Sequence, residues 1–306
     1  MNALSRHLED YLRLRRALGF KLEQEGRWLA QFVSYVESSG EAIFTGRVAI
    51  KWAQQPVTAQ SNQWAKRLGI VRKFAAYLHT IEPATEVPPA NVFAARRHRP
   101  TPYLWSESDI ARLIEGTRAL HPPLRAATYE ALFGLLAASG MRVGEAIALQ
   151  RDDVDLSRGV VTVRVAKFDR WRLVPLHVSA IEALRRYAAV RDRLCPMPRS
   201  MVFFPSNVGT KLSRSKVGEA FRRISIAIGV RTATVHPRIH DLRHSFAVRT
   251  LLLWQRSGVS VDAHIGTLST YLGHVSPAGT YWYLSASPEL MQLAGERLEA
   301  RFGAAK

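Results

Sequence analysis

A proline-rich stretch at residues 82–102 divides the chain into two folded parts. It reads EPATEVPPANVFAARRHRPTP and contains five prolines, which lack a backbone donor and interrupt helices and strands. We therefore expect a domain over residues 1–92, a basic linker over 93–103 and a second domain over 104–306. A chain of 306 residues is long enough for two hydrophobic cores of unequal size.

The chain carries a large excess of positive charge. Its 43 Lys and Arg residues against 25 Asp and Glu give a formal net charge of +18, which predicts a polyanionic partner. Nucleic acid is favoured over anionic lipid, because the basic residues are spread along the chain and form no single amphipathic helix. The linker run Arg96-Arg97-His98-Arg99 fits both a solvated hinge and a segment that lies against a phosphate backbone.

The sequence predicts a cytoplasmic protein that needs no metal, cofactor or membrane. Cys195 is the single cysteine, so neither an internal disulfide nor a cysteine-rich zinc site can form. The first twenty residues mix charged and apolar side chains and lack the apolar core of a secretory signal. No uncharged apolar run reaches the roughly 18 to 20 residues that span a bilayer.

The hydrophobic patterns predict a mainly α fold with a small β-hairpin or sheet. The N-terminal domain shows helical spacing without strand alternation, in two apolar sets: Trp28, Leu29, Phe32, Val33 and Val36, then Trp64, Leu68, Val71, Phe74, Ala75 and Leu78. The second domain is expected to be mixed α+β. It is helical from a cap at Ser106, forms a hairpin of residues 160–166 and 170–176, and is helical again from Val178.

Four segments of the second domain carry the polar residues that could act in chemistry. They are SGMRVGEAIAL (139–149), Lys167 at the hairpin tip, HDLRHSF (240–246) and YLGHVSPAGTYWY (271–283). Each is ordinary when taken alone. Arg142 and Glu145 have the spacing of a surface ion pair, a lysine at a hairpin tip is usually solvated, and a lone histidine such as His274 is more often structural than catalytic.

Taken together and in this order, the segments resemble the catalytic domain of the tyrosine recombinase, or phage integrase, family over about residues 104–295. In that family the first arginine lies in a glycine turn ahead of an acidic residue, which matches Gly140-Met141-Arg142-Val143-Gly144-Glu145. The family's hairpin lysine, H-x-x-R pair, L-G-H histidine and nucleophilic tyrosine fall on Lys167, His240 with Arg243, His274, and Tyr283.

The resemblance implies a metal-free reaction with a role for each of these residues. Tyr283 would attack phosphorus and store the bond energy as a 3′-phosphotyrosine, while Arg142 and Arg243 would hold the nonbridging oxygens by charge-assisted hydrogen bonds. Lys167 would donate a proton to the leaving 5′ oxygen, and His240 would exchange a proton with the tyrosine. His274 would donate a hydrogen bond to the phosphate, and Glu145 would orient the neighbouring side chains.

The resemblance also implies a site-specific recombinase or integrase that acts on double-stranded DNA. The N-terminal domain would be a core-binding domain that clamps the duplex opposite the catalytic domain. Strand exchange between two duplexes implies a homo-oligomer on DNA, a tetramer if the family holds, alone or with related recombinases. Phage integration, transposition, plasmid maintenance and chromosome resolution all fit, and integration or movement of a mobile element is the favoured role.

Two other functions fit parts of the pattern. A relaxing enzyme similar to type IB topoisomerases would use the same chemistry without a partner strand, but the short chain and the integrase-like spacing disfavour it. A DNA-binding protein with an idle set of catalytic residues would occupy a site without forming a covalent adduct. The presence of the full polar set disfavours that function.

Two local alternatives concern the identity of the reactive groups. Tyr281 competes with Tyr283, but residues two apart on a helix differ in direction by about 200°, so one hydroxyl at most reaches the phosphate, and the family spacing selects Tyr283. His236 and His244 lie near His240 and suggest a metal site. The basic surroundings and the lack of carboxylate or thiol partners at ligand spacing disfavour it.

Two further segments are ambiguous. The stretch between Arg243 and His274 is several residues longer than the family leads us to expect, which leaves its packing open. The C-terminal segment SPELMQLAGERLEARFGAAK has an apolar side that fits packing against a neighbouring subunit and packing on its own domain equally well.

Overall fold

The computed structural model describes residues 3–40, 44–94, 101–165, 170–276, 278–285, 289–292, 295–296 and 299. The chain forms two compact units, Met1–Pro100 and Thr101–Lys306. The linker run Arg96-Arg97-His98-Arg99 and the hairpin tip with Lys167 lie outside the described residues. In the part of the chain that is described, no helix combines the length and the apolar character needed to cross a bilayer.

The N-terminal unit is helical, as its apolar spacing predicts. Its helices are α1 (Ala3–Ala17), α2 (Glu23–Ser38), α3 (Gly46–Gln54) and α4 (Ser61–His79). Most of the apolar residues predicted to face inward meet in one core, in which Phe32, Trp52 and Phe74 are almost inaccessible to solvent. Arg67 is buried beside them. Its guanidinium lies 3.8 Å from the Trp52 ring centroid and donates to the Trp52 carbonyl, which compensates part of its lost hydration.

The C-terminal unit is mixed α+β. Its helices are α5 (Glu107–Gly116), α6 (Pro123–Ser139), α7 (Val143–Ala146), α8 (Val178–Leu194), α9 (Arg214–Ala227), α10 (Asp241–Arg256), α11 (Val261–Leu272) and α12 (Ala278–Tyr281). The strands β1 (Val154–Asp155), β2 (Val160–Val165) and β3 (Arg170–Pro175) form an antiparallel sheet in the order β1-β2-β3. The predicted hairpin and the cap at Ser106, which accepts from the Asp109 amide at 3.0 Å, are confirmed.

Helix α6 lies in the main core of the C-terminal unit. Its sequence, PLRAATYEALFGLLAAS, contains Arg125 and Glu130 as its charged residues, and a helix that is apolar around most of its circumference is a core helix. Leu132, Phe133 and Leu136 are almost inaccessible to solvent, and α6 packs against α5, α8 and α10. The C-terminal end of α6 is therefore held rigidly, and the candidate site begins there.

The long stretch between Arg243 and His274 forms most of α10 and all of α11. A turn separates the two helices, and the Ser260 side chain caps α11 by accepting from the Ala263 amide. Apolar residues of both helices form a second core: Ala247, Val248, Leu251, Ile265, Leu268 and Leu272. The extra length is therefore folded and packed.

Part of the C-terminal segment packs on its own unit. Leu290 is buried in the second core, and Glu289 pairs with Arg256 of α10. The other apolar positions that the sequence placed on this face, Leu293, Ala294 and Leu298, lie outside the described residues.

Candidate active site

A glycine turn at the end of α6 positions Arg142. Gly140 ends the helix in the left-handed region with φ 62°, and its amide donates to the Leu136 carbonyl, a common way to stop a helix. A Cβ atom at this position would lie 2.6 Å from the Phe246 ring, so a glycine is required for close packing as well as for its φ. The chain then turns into the short helix α7, with Arg142 as the residue that caps it.

The C-terminal end of α11 gathers three guanidinium groups. The last carbonyls of a helix have no partner within the helix and carry partial negative charge. Here three consecutive carbonyls each accept a hydrogen bond from an arginine of a different element: Tyr271 from Arg172 Nε at 3.0 Å, Leu272 from Arg243 Nη2 at 2.7 Å, and Gly273 from Arg142 Nη2 at 2.9 Å.

Glu145 joins two of these arginines. Its Oε1 accepts from Arg142 Nη1 at 2.8 Å and from Arg172 Nη1 at 3.1 Å, and its Oε2 accepts from the Arg142 amide at 3.0 Å and from Arg172 Nη2 at 2.7 Å. Burial acts to raise the pKa of this carboxyl group, but the hydrogen bonds and charge of Arg172, followed by those of Arg142, outweigh it and hold the pKa at about 2. Glu145 is therefore ionised at neutral pH.

Arg243 is the most deeply buried of the three arginines. It is 2% exposed, and its Nη1 also donates to the Gly140 carbonyl at 2.9 Å. Burial, together with the nearby charge of Arg142, lowers its pKa to about 10, so the guanidinium stays protonated at neutral pH. Three guanidiniums against the single carboxylate of Glu145 leave the cluster positively charged, which suits an anionic phosphodiester.

Two histidines border the arginine cluster, and both are neutral at pH 7. His274 follows Gly273 directly, and its Nδ1 lies 2.6 Å from Oγ1 of the fully buried Thr280. Burial and the charge of Arg243 lower the pKa of His274 to about 4. His240 precedes α10 and keeps an exposed edge, but partial burial of the ring and the charge of Arg243 lower its pKa to about 4 as well.

Tyr283 lies inside the cluster, whereas Tyr281 lies at the surface. Tyr283 is 2% exposed, it lies close enough to Arg243 to act on the pKa of that guanidinium, and its ring centroid is 6.0 Å from that of His274. Tyr281 is 48% exposed. The continuous helix assumed for the two tyrosines is not present, because α12 ends at Tyr281 and a 3₁₀ turn covers Trp282–Ser285. The two side chains nevertheless face different surroundings, since Tyr283 is buried and Tyr281 is exposed.

The structure therefore brings together most of the residues that the sequence selected. Arg142, Glu145, Arg243, His274 and Tyr283 contact one another directly or through α11, and His240 borders them. Lys167 lies outside the described residues.

Sequence reasoning missed Arg172, Thr280 and the packing of His244. The centroid of the His244 ring lies 5.4 Å from the Tyr283 ring centroid and 4.7 Å from the His240 ring centroid, so His244 lines the site. One signal for Arg172 was present in the sequence. In a strand with alternating faces, Arg172 shares a side with the fully buried Val174, and an arginine on a core-facing side needs a specific partner.

Clustered guanidiniums around a buried tyrosine on a mainly helical unit define a class of enzyme that acts on phosphate esters through a tyrosine nucleophile. The family model for the phage integrase family matches residues 106–289, and the chain belongs to this family of tyrosine recombinases. The resemblance that the motifs predicted is confirmed.

Relatives and solved structures extend the similarity to both units. An inferred integrase/recombinase of Sinorhizobium fredii, y4rB, is 41% identical over 99% of this chain and 99% of its own length. The Tn1549 transposon integrase in complex with transposon right end DNA has a TM-score of 0.68 at 15% identity, over 96% of this chain and 99% of that one. The XerH recombinase bound to a difH substrate has a TM-score of 0.65 at 19% identity, over 97% and 85%.

Proposed function

We propose that this protein is a site-specific DNA recombinase with Tyr283 as its nucleophile. The tyrosine oxygen attacks phosphorus, the bond to the 5′ oxygen breaks, and a 3′-phosphotyrosine and a free 5′ hydroxyl result. The 5′ hydroxyl of a partner strand then attacks the phosphotyrosine and releases the tyrosine. The observation that carries this proposal is the position of Tyr283, which is buried beside Arg243 and His274 within a positively charged cluster.

The two arginines fit the binding of nonbridging phosphate oxygens. Arg142 is 39% exposed, and its described side-chain hydrogen bonds use one hydrogen on each of two nitrogens. A guanidinium has five N–H groups, so several remain to bind the ester and the extra negative charge of the five-coordinate transition state. Arg243 donates to the carbonyls of Gly140 and Leu272, and these two bonds fix the orientation of its guanidinium.

The neutral histidines fit roles in proton transfer and orientation. A neutral imidazole can accept the proton of a tyrosine hydroxyl, and His240 is the candidate for this role. When the Thr280 hydroxyl donates to Nδ1 of His274, the ring hydrogen lies on Nε2 and can be donated to a phosphate oxygen. The general acid for the leaving 5′ oxygen is assigned to Lys167 from the family resemblance and stays a prediction.

The proposed partner is double-stranded DNA, bound in the cytoplasm by a homo-oligomer. The net charge of +18 favours a phosphate backbone, and the Tn1549 integrase and XerH structures that share this fold contain DNA. We assign residues 1–92 to a core-binding domain, 93–103 to a basic linker and 104–306 to the catalytic domain. Exchange between two duplexes calls for a tetramer on DNA, alone or with related recombinases. A transposon integrase among the structural relatives supports the movement of a mobile element.

Covalent trapping on a nicked DNA substrate tests the proposal. The nick lets the short product strand diffuse away, so that the phosphotyrosine accumulates and migrates as a slow band on a denaturing gel. The substrate is taken from DNA next to the gene, and the parent protein is compared with Tyr283→Phe and, as a matched control, Tyr281→Phe. An adduct that is lost in Tyr283→Phe alone is expected.

The other outcomes are equally informative. Loss of the adduct in Tyr281→Phe alone would move the nucleophile to the exposed tyrosine. Absence of an adduct on DNA that the parent protein demonstrably binds would contradict strand cutting and leave a DNA-binding protein with idle catalytic residues.

A further inference from the structure

Arg172 is a charged residue on the inner face of a strand. It lies on β3 between two exposed apolar residues, Trp171 and Leu173, and is itself 11% exposed, while Val174 beyond it is fully buried. Burial of an unpaired guanidinium would cost several kcal/mol. Three of its nitrogens have partners here: Nε binds the Tyr271 carbonyl, and Nη1 and Nη2 bind the two oxygens of Glu145.

The fork of Arg172 fixes the orientation of the Glu145 carboxylate. A guanidinium that binds both oxygens of a carboxylate sets its plane as well as its distance. The same two oxygens accept from the amide and from Nη1 of Arg142, so the four acceptor positions of the carboxylate are occupied. Any rotation of Glu145 would break a bond to Arg142.

Helix α7 needs such an anchor because it is a single turn. Arg142 and Glu145 both belong to this short element, Val143–Ala146 with its cap, and one turn of helix has little stability of its own. Arg172 approaches from the sheet, 27 positions along the chain from Glu145. It ties α7 to β3 and, through the Tyr271 carbonyl, to α11.

Gly273 leaves room for this contact. A Cβ atom there would lie 2.7 Å from Arg172 Nη1 and 2.9 Å from its Cζ. The residue also has a φ of 67°, in the region that favours glycine. The guanidinium can therefore lie directly against the turn that connects α11 to His274.

We propose that Arg172 is a positioning residue that acts through Glu145 to hold Arg142 against the scissile phosphate. It does not touch DNA in this scheme, and the inference rests on the function proposed above. A lysine can replace it only in part, because a single ammonium group cannot serve both carboxylate oxygens and the Tyr271 carbonyl with the same planar geometry.

The test compares two substrates that differ in the charge of the scissile group. One carries the natural phosphodiester and the other a methylphosphonate, in which a methyl group replaces one nonbridging oxygen and removes the negative charge. Arg142 should contribute less to the cleavage rate of the neutral substrate, since the negative charge that it would stabilise is absent. Single-turnover cleavage of nicked DNA is measured for the parent, Arg142→Ala, Arg172→Met and the double variant, with DNA affinity and thermal unfolding as further readouts.

If Arg172 acts through Arg142, Arg172→Met slows cleavage of the phosphodiester by roughly 10- to 100-fold, the cost of a small misplacement of a reacting group. The loss on the methylphosphonate is much smaller, and the double variant is no slower than Arg142→Ala. Arg172→Lys shows the same dependence on substrate charge with a smaller loss, and it serves as the test if Arg172→Met does not fold.

The matched control is Arg191→Met. Arg191 is also buried, also binds a carboxylate through two nitrogens, Asp192, and also donates to a carbonyl, that of Phe203, but it is not part of the candidate site. Its replacement is expected to lower thermal stability and to affect both substrates equally.

The outcomes separate the two proposals. Equal losses on both substrates in Arg172→Met, or additive effects in the double variant, would show that Arg172 is merely structural and overturn the inference alone. No adduct with the parent protein on bound DNA would overturn the proposed function and the inference with it.

Discussion

The Glu145→Gln substitution is expected to destabilise the C-terminal unit in a pH-dependent manner. Glutamine has nearly the same size but removes the charge that compensates Arg142 and Arg172. Glu145 has a pKa of about 2 in the folded chain, against an ordinary value of 4.5. Each pKa unit corresponds to about 1.4 kcal/mol, so ionisation of this carboxylate contributes on the order of 3 kcal/mol to folding at pH 7.

The sign of the pH dependence follows from the lowered pKa. Above about pH 4.5 the carboxylate is charged in both the folded and the unfolded chain, and the full stabilisation is present. As the pH falls toward 2, the unfolded chain binds a proton first, and the stabilisation is lost. Between pH 6 and about pH 3.5 the difference in unfolding free energy between the parent and Glu145→Gln should shrink by about 1.4 kcal/mol.

Amide hydrogen exchange of the full chain measures this difference in the relevant unit. The backbone amides of α6 around Leu132 and Phe133 lie in the core of the C-terminal unit, so their exchange in increasing urea reports the unfolding free energy of this unit. Equal free energies for parent and variant at pH 7 would refute the reasoning. A difference that stays constant down to pH 3.5 would show that the carboxylate charge is not its source.

Three further predictions concern the neighbouring residues. Gly273→Ala should destabilise the unit by about 2 kcal/mol or more in the same assay, whereas Gly229→Ala, with φ 74° and no atom within 4 Å of the added Cβ, should cost about 1 kcal/mol. Thr280→Val removes the partner of His274 Nδ1 and should slow covalent trapping about tenfold, whereas Thr280→Ser, which retains the hydroxyl, should remain close to the parent. The imidazole NMR resonances of His240 and His274 should titrate near pH 4; a midpoint near 6.5 for either would contradict the described environment.

The sequence predicted the helices better than the sheet. The apolar spacing in α2 and α4 and the β2–β3 hairpin were visible because each repeats over several residues. Strand β1, Val154–Asp155, is two residues long and leaves no alternation to detect. The 3₁₀ turn that carries Tyr283 also escaped, because it begins where α12 ends and its four residues are too few to show a period.

The site was predictable where residues of a motif stand close together in the sequence and was missed where a partner comes from elsewhere. Arg142 and Glu145 are three residues apart, and the resemblance found both. The alternation of β3 places Arg172 on the side of Val174, but it does not reveal Glu145 as the partner, because that contact depends on how β3 packs against α7. Thr280 carries no charge, and its contact with His274 exists only after the turn between α11 and α12 has formed.

Three arginines bind the last turn of α11, so the geometry of the whole candidate site depends on that one turn. Arg142, Arg172 and Arg243 come from distant parts of the chain, and the same turn leads within ten residues to Tyr283. When α11 detaches, the three guanidiniums lose their common anchor and Tyr283 loses its place beside them. If Tyr283 is the nucleophile as proposed, local unfolding of this turn disables the groups that bind the phosphate together with the group that attacks it, so a partly unfolded molecule cannot cut a strand.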